Sequence, residues 1–207
     1  MSAAPNPSNL SKNSASQSKR LILASTSKYR KELLGRLGLS FETISPEVDE
    51  APLPNETPEL MAIRLAQAKA LAVSLSHPSA YVIGSDQVCH HQGKILSKPK
   101  TTERAIDQLL SMQGETHELI TSVTVTSPVG EETFSNITKL TMRRLTQDEI
   151  TRYVNEDQPL DCAGSYKLES TGIKLFSKIE MDDHTSIIGL PLIQLMTTLH
   201  KFGYPIF

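Results

Sequence analysis

The feature that most constrains the fold is a strand that runs straight into a helix near the start of the chain. Leu21-Ile22-Leu23-Ala24 is a short apolar run that reads as a buried strand. Ser25-Thr26-Ser27 follows as a hydroxyl-rich turn. Tyr29, Leu33 and Leu37 then recur four residues apart, Ser27 is the natural N-cap, and Gly38 is placed to stop the helix. A strand, a tight turn and a helix in direct succession point to a layered α/β domain.

The rest of the chain agrees with that reading. Phe41–Ile44 reads as a second strand. Thr57-Pro58-Glu59 opens a helix with a cap, a first-turn proline and an acid near the positive end. The spacing of Met61, Leu65, Ala68, Ala72 and Leu75 predicts one buried face, flanked by Arg64 and Lys69. Tyr81–Gly84 is another short apolar strand, leading into Ser85-Asp86-Gln87. Val88–Leu96 looks like a hairpin turning near Gly93, and a helix is expected from Thr102 to Gln113. Strands at 122–126 and 134–142 flank a turn at Pro128–Glu131, and Thr146–Glu149 is a capping box. Asp161–Phe176 is glycine-punctuated, and a last helix is expected from Pro191 to Phe202. Helices interleave with antiparallel hairpins, so the sheet is mixed, with flanking helices, rather than all parallel.

Composition narrows the partners. The chain has 207 residues, with 21 Lys plus Arg against 23 Asp plus Glu, a net charge of −2. No basic surplus is present to grip a nucleic-acid polymer. The only two cysteines, Cys89 and Cys162, have neither CxxC spacing nor a disulfide pattern, and a reducing compartment is the default. The most apolar stretch, Ile187–Leu199, is broken by Pro191 and Gln194 and falls short of the roughly 20 residues of a membrane span. The N-terminal residues lack the apolar stretch of a secretory signal, so a cytoplasmic protein with no membrane partner is expected. Residues 1–19 are rich in Ser, Asn, Ala and Pro and are expected to form a disordered tail, with residues 20–207 as the folded domain.

Common phosphate, zinc and nucleophile signatures are absent. Three features stand out instead. Ser25-Thr26-Ser27-Lys28-Tyr29-Arg30 places hydroxyls, unpaired N–H groups and Arg30 at a helix start, as a phosphate requires; the same run is also an ordinary cap followed by solvated cations. Asp86 stands at the end of an apolar strand, where it could be a general base, a metal ligand or a turn-forming aspartate. Lys69 and Lys98, with Glu47, could supply the mixed charges of a phosphoryl-transfer site or be surface charges. Adjacent His90 and His91 point to opposite strand faces and read as structural.

Taken in order, several segments resemble the Maf family of nucleoside triphosphate pyrophosphatases. These are Leu21–Ser27 with Arg30, Pro46–Glu50, Ala66–Ala70, Ile83–Val88, Lys98-Pro99, Ala163–Lys167 and Gly189–Leu192, spread over the whole chain from about residue 21. The resemblance implies an α/β fold of the Maf/ITPase-like kind, with two lobes around a deep cleft, and a homodimer. It implies hydrolysis of the α–β phosphoanhydride bond with a divalent cation (Mg²⁺, Mn²⁺ or Co²⁺). It assigns Asp86 as general base, Ser25, Ser27, Arg30, Lys69 and Lys98 to the phosphates, and Glu47 with Asp86 to the metal.

Ser85-Asp86-Gln87, Cys162–Lys167 and Glu169 resemble the branch acting on 7-methyl-GTP, with Tyr29, Gln87 and Glu169 as base-specificity positions. A carboxylate and an aromatic face suit the cationic 7-methylguanine ring. The alternatives are the dTTP/UTP branch and a nucleotide-binding regulator of septum formation. The sequence departs from the family at Lys28, where proline is usual.

Overall fold

The computed structural model describes residues 19–207. The expected tail lies outside the described residues except for Lys19, whose ammonium donates to the Tyr81 hydroxyl at 3.2 Å and to the Gly203 carbonyl.

Strand β1 (Leu21–Ala24) leads into helix α1 (Lys28–Gly35), and Ser27 caps it by accepting the Arg30 amide. β2 (Glu42–Ile44) and α2 (Pro58–Ser74) follow, then β3 (Tyr81–His91), β4 (Lys94–Ile95) and α3 (Thr102–Met112). β5 (Thr116–Ser127) and β6 (Gly130–Met142) form the long hairpin; α4 (Gln147–Asp157), β7 (Phe176–Glu180) and α5 (Leu192–Lys201) complete the chain. The seven strands make one sheet in the order β2-β1-β3-β5-β6-β7, with β4 paired to β3. β1 runs parallel to β2 and β3, whereas β3, β5, β6 and β7 are antiparallel neighbours. The fold is thus the expected mixed α/β.

Two differences from the sequence reading matter. β3 does not stop at Gly84 but continues as an unbroken strand of 11 residues, because β5 pairs with it as far as His90. Asp86 therefore lies inside a strand. The buried face of α2 is also rotated. Ala62, Ala66, Lys69, Ala70 and Val73 join Met61 and Leu65 inside, whereas Leu75 is 73% exposed. Small residues face the sheet because α2 lies hard against β3 at Gly84. A Cβ there would stand 2.4 Å from the Ala66 carbonyl oxygen and 2.5 Å from the Ala70 nitrogen.

The core has two large clusters. Leu21, Leu23, Leu33, Leu34 and Ile83 pack with Leu195 and Leu199, and Leu109, Met112, Leu140, Ile150 and Val154 pack around Tyr166 and Phe176. Ile188 packs against both. No helix among the described residues is long and apolar enough to cross a membrane.

His117 is buried in the second cluster, its Nε2 3.1 Å from the Tyr166 hydroxyl and its Nδ1 without a partner. Burial, helped by His91, lowers its pKa from 6.5 to about 4. The unfolded chain then binds the proton more readily, so stability is lost as pH falls from the unfolded value through the folded one. Below that window the loss approaches about 3 kcal/mol. Urea titrations at pH 7 and pH 4.5 should show a steeper acid loss in wild type than in His117→Gln. Equal losses would mean that His117 is not a source of acid sensitivity.

Candidate active site

The site opens where two neighbouring strands differ in length. β1 ends at Ala24, opposite Gly84, while β3 continues beside β5, with Asp86 opposite Ser122. Past Ala24 the chain leaves the sheet as Ser25-Thr26-Ser27 and turns into α1. A cleft of about 640 Å³ fills the space, at the carboxyl end of the parallel strands where α/β sheets bind ligands.

Asp86 projects from β3 toward α2, where Lys69 Nζ donates to its Oδ1 at 2.6 Å. The same ammonium is 2.6 Å from Glu50 Oε1. Lys69 is buried, and two carboxylates balance its charge where water does not. Burial works to raise the Glu50 pKa, but the hydrogen bond from Lys69 and the charges of Lys69, Lys98 and Arg30 outweigh it and hold it below the ordinary value.

Arg30 is the third residue of α1, in its first turn. Its Nε donates to the Gly189 carbonyl at 2.9 Å, and the Ser85 hydroxyl donates to that same oxygen at 2.8 Å. Gly189 holds φ +109°, and a Cβ there would press on Arg30 Nε at 3.1 Å. Buried Asp183 ties this loop to α5, its Oδ2 accepting the Ile193 amide at 2.9 Å. Desolvation lowers the Arg30 pKa, opposed by the charges of Asp86 and Glu50. The guanidinium is anchored at Nε, and its field is shared with both carboxylates.

Ser25, Ser27, Tyr29, Arg30, Lys69, Asp86, Gln87, Lys98 and Glu169 all line the cleft. Glu47 does not. It is exposed on the loop after β2, and the loop brings Glu50 to Lys69 instead. Glu50 belongs to the Pro46–Glu50 segment but has no periodic pattern around it, so only the neighbouring Lys69 betrays it. Lys100 and Asp161 are further lining residues that the sequence reading passed over. Gln87 is less free than expected: the two hydrogens of its amide nitrogen are shared among Thr121 Oγ1 at 2.9 Å and the carbonyls of Ser186 and Ile187 at 2.9 and 3.1 Å. Those bonds fix the cleft wall, leaving the carbonyl oxygen as the uncommitted end.

The arrangement offers two carboxylates beside fixed cations. Among the described residues no three His, Cys, Asp or Glu side chains converge as a metal cage. Asp86 and Glu50 do fit a hard dication of the kind that takes one or two carboxylates and completes its shell with phosphate and water.

The Maf-like protein family profile matches residues 20–202. A protein of Xanthomonas axonopodis pv. citri named 7-methyl-GTP pyrophosphatase is 48% identical over 187 residues, covering 90% of this chain and 98% of its own. A protein of the same name from Bdellovibrio bacteriovorus is 50% identical over 179 residues, covering 86% and 94%. Among solved structures, the Staphylococcus aureus Ham1 protein matches 88% of this chain and 100% of its own at 16% identity and a TM-score of 0.49. With a profile matched from β1 through α5 and relatives near half identity over most of both lengths, the chain belongs to the Maf-like protein family.

Proposed function

We propose that the protein hydrolyses the α–β phosphoanhydride bond of 7-methyl-GTP, giving 7-methyl-GMP and pyrophosphate and clearing a modified nucleotide from the pool. The observation that carries this reading is the row Glu50–Lys69–Asp86 beside an anchored Arg30. A phosphoanhydride needs cations on its oxygens and a carboxylate for the attacking water. The names of the two bacterial relatives support the choice of nucleotide.

In this reading Asp86 Oδ2 accepts the proton of the attacking water while Lys69 holds Oδ1. Arg30 and Lys98 take phosphate oxygens, and Ser25 and Ser27 border the same ligand at the start of α1. Asp86 and Glu50, rather than Glu47, would hold the divalent ion. Mg²⁺, Mn²⁺ or Co²⁺ held there would neutralise charge on the phosphates and lower the pKa of water. Tyr29 and Glu169 face the base. Family membership also supports a cytoplasmic homodimer with no nucleic-acid polymer or membrane as partner.

The test is release of pyrophosphate from 7-methyl-GTP, GTP, UTP and dTTP with each of the three metals. The expected result is pyrophosphate and monophosphate, with 7-methyl-GTP favoured in kcat/KM. Orthophosphate as product, or a preference for UTP or dTTP, would overturn the reading. Glu169→Gln should lower kcat/KM for 7-methyl-GTP about tenfold, or about 1.4 kcal/mol, and spare UTP. A uniform loss on both would remove Glu169 from base selection.

A further inference from the structure

A second charge arrangement stands at the mouth of the cleft, apart from the phosphate cations. Lys28 Nζ lies 4.8 Å from the centre of the Tyr29 ring and 4.0 Å from Asp161 Oδ2. The Tyr29 hydroxyl is 3.3 Å from each Asp161 carboxylate oxygen and donates its one hydrogen to that carboxylate, and the Cys162 thiol stands 3.9 Å from the hydroxyl. Two segments far apart in sequence thus meet across the opening, and Lys28, Tyr29, Asp161 and Cys162 all line the cleft. An aromatic face with a carboxylate at its edge attracts a cation through the ring quadrupole and the charge. In the structure that cation is the protein's own lysine.

We propose that Tyr29 and Asp161 form a subsite for a positively charged aromatic ring, and that Lys28 is the resident cation such a ring displaces. The proposal rests on the reading of 7-methyl-GTP as substrate and names two residues that reading did not use. Lys28 is easily displaced. Its side chain is 65% exposed, its ion pair is long, and a hydrated ammonium gains little from an exposed carboxylate. A ring whose charge is spread over a flat surface is less strongly hydrated and can cover the tyrosine face more fully, as guanidinium does better than ammonium. A neutral base gains no charge attraction from Asp161, so it leaves Lys28 over the tyrosine face. The subsite therefore selects on charge. Asp161 also fixes the ring, because it accepts the hydrogen bond of the Tyr29 hydroxyl and holds it at the cleft wall.

The experiment uses the full chain with 7-methyl-GMP and GMP as calorimetric probes, alongside kcat/KM for 7-methyl-GTP, GTP and UTP. Lys28→Ala removes the competitor and should tighten 7-methyl-GMP about three- to tenfold while moving GMP less than about twofold. Asp161→Asn keeps the side-chain size and should weaken 7-methyl-GMP about tenfold, with little effect on GMP. If Lys28→Ala weakens 7-methyl-GMP, or either variant shifts both nucleotides alike, the subsite is wrong even when wild type prefers 7-methyl-GTP. A wild type that prefers UTP overturns the subsite together with the substrate reading.

Discussion

Asp86→Asn is expected to fold and to lose at least about 10²-fold in kcat, the scale of removing a general base. The asparagine keeps the volume of the side chain inside β3. Its carbonyl oxygen can still accept from Lys69, and Glu50 remains as the charge partner of that buried ammonium. What changes is the second oxygen. An amide nitrogen there can neither take a proton from water nor serve a dication as an anionic ligand. Melting followed by circular dichroism, with pyrophosphate release on the same preparation, separates folding from turnover. A variant with wild-type kcat would place the base elsewhere in the cleft.

Gly84→Ala should be the most damaging change outside the charged residues. The added methyl group meets two backbone atoms of α2 at 2.4 and 2.5 Å, and neither can rotate away as a side chain could. Relief requires α2 to lift from β3. Overpacking of this kind costs about 1–3 kcal/mol, and rigid backbone neighbours put it at the upper end. For a domain of this size that lowers Tm by roughly 6–12 °C. Turnover should fall as well, because α2 carries Lys69 and β3 carries Asp86, so lifting one from the other stretches a 2.6 Å bond. An alanine variant with unchanged Tm would show that the helix and strand can part freely.

The elements were legible where local signals agree with packing. Ser27, Thr57 and Thr146 each cap the helix expected of them, since a cap is decided within a few residues. The inner face of α2 was not legible. Counting large apolar residues favours Leu75, but the close approach to Gly84 admits only alanines, and nothing within α2 records what lies across from it. The sequence points to a strand end at Asp86 because apolar character stops at Gly84, whereas pairing with β5 carries the strand onward. The same limit hid Glu50. A loop without periodicity does not say which of two acids, Glu47 or Glu50, turns inward, and only the position of Lys69 decides it. Arg30 was legible as a cleft residue because strand-turn-helix geometry places a helix start beside the sheet end.

The site is made by subtraction. Its floor exists because β1 stops while β3 goes on, so two neighbouring strands of unequal length leave a notch that no side chain had to be removed to create. A notch of that origin is set by hydrogen-bond register, which changes only in whole residues. Side-chain substitutions along its rim can therefore retune which base is admitted while the floor stays at the same depth. One further residue pair between β1 and β3 would instead put Ser25 opposite Ser85, drawing the hydroxyl turn into the sheet and taking Arg30 with it. Specificity can drift in small steps in such a fold, whereas the chemistry can only be kept or lost.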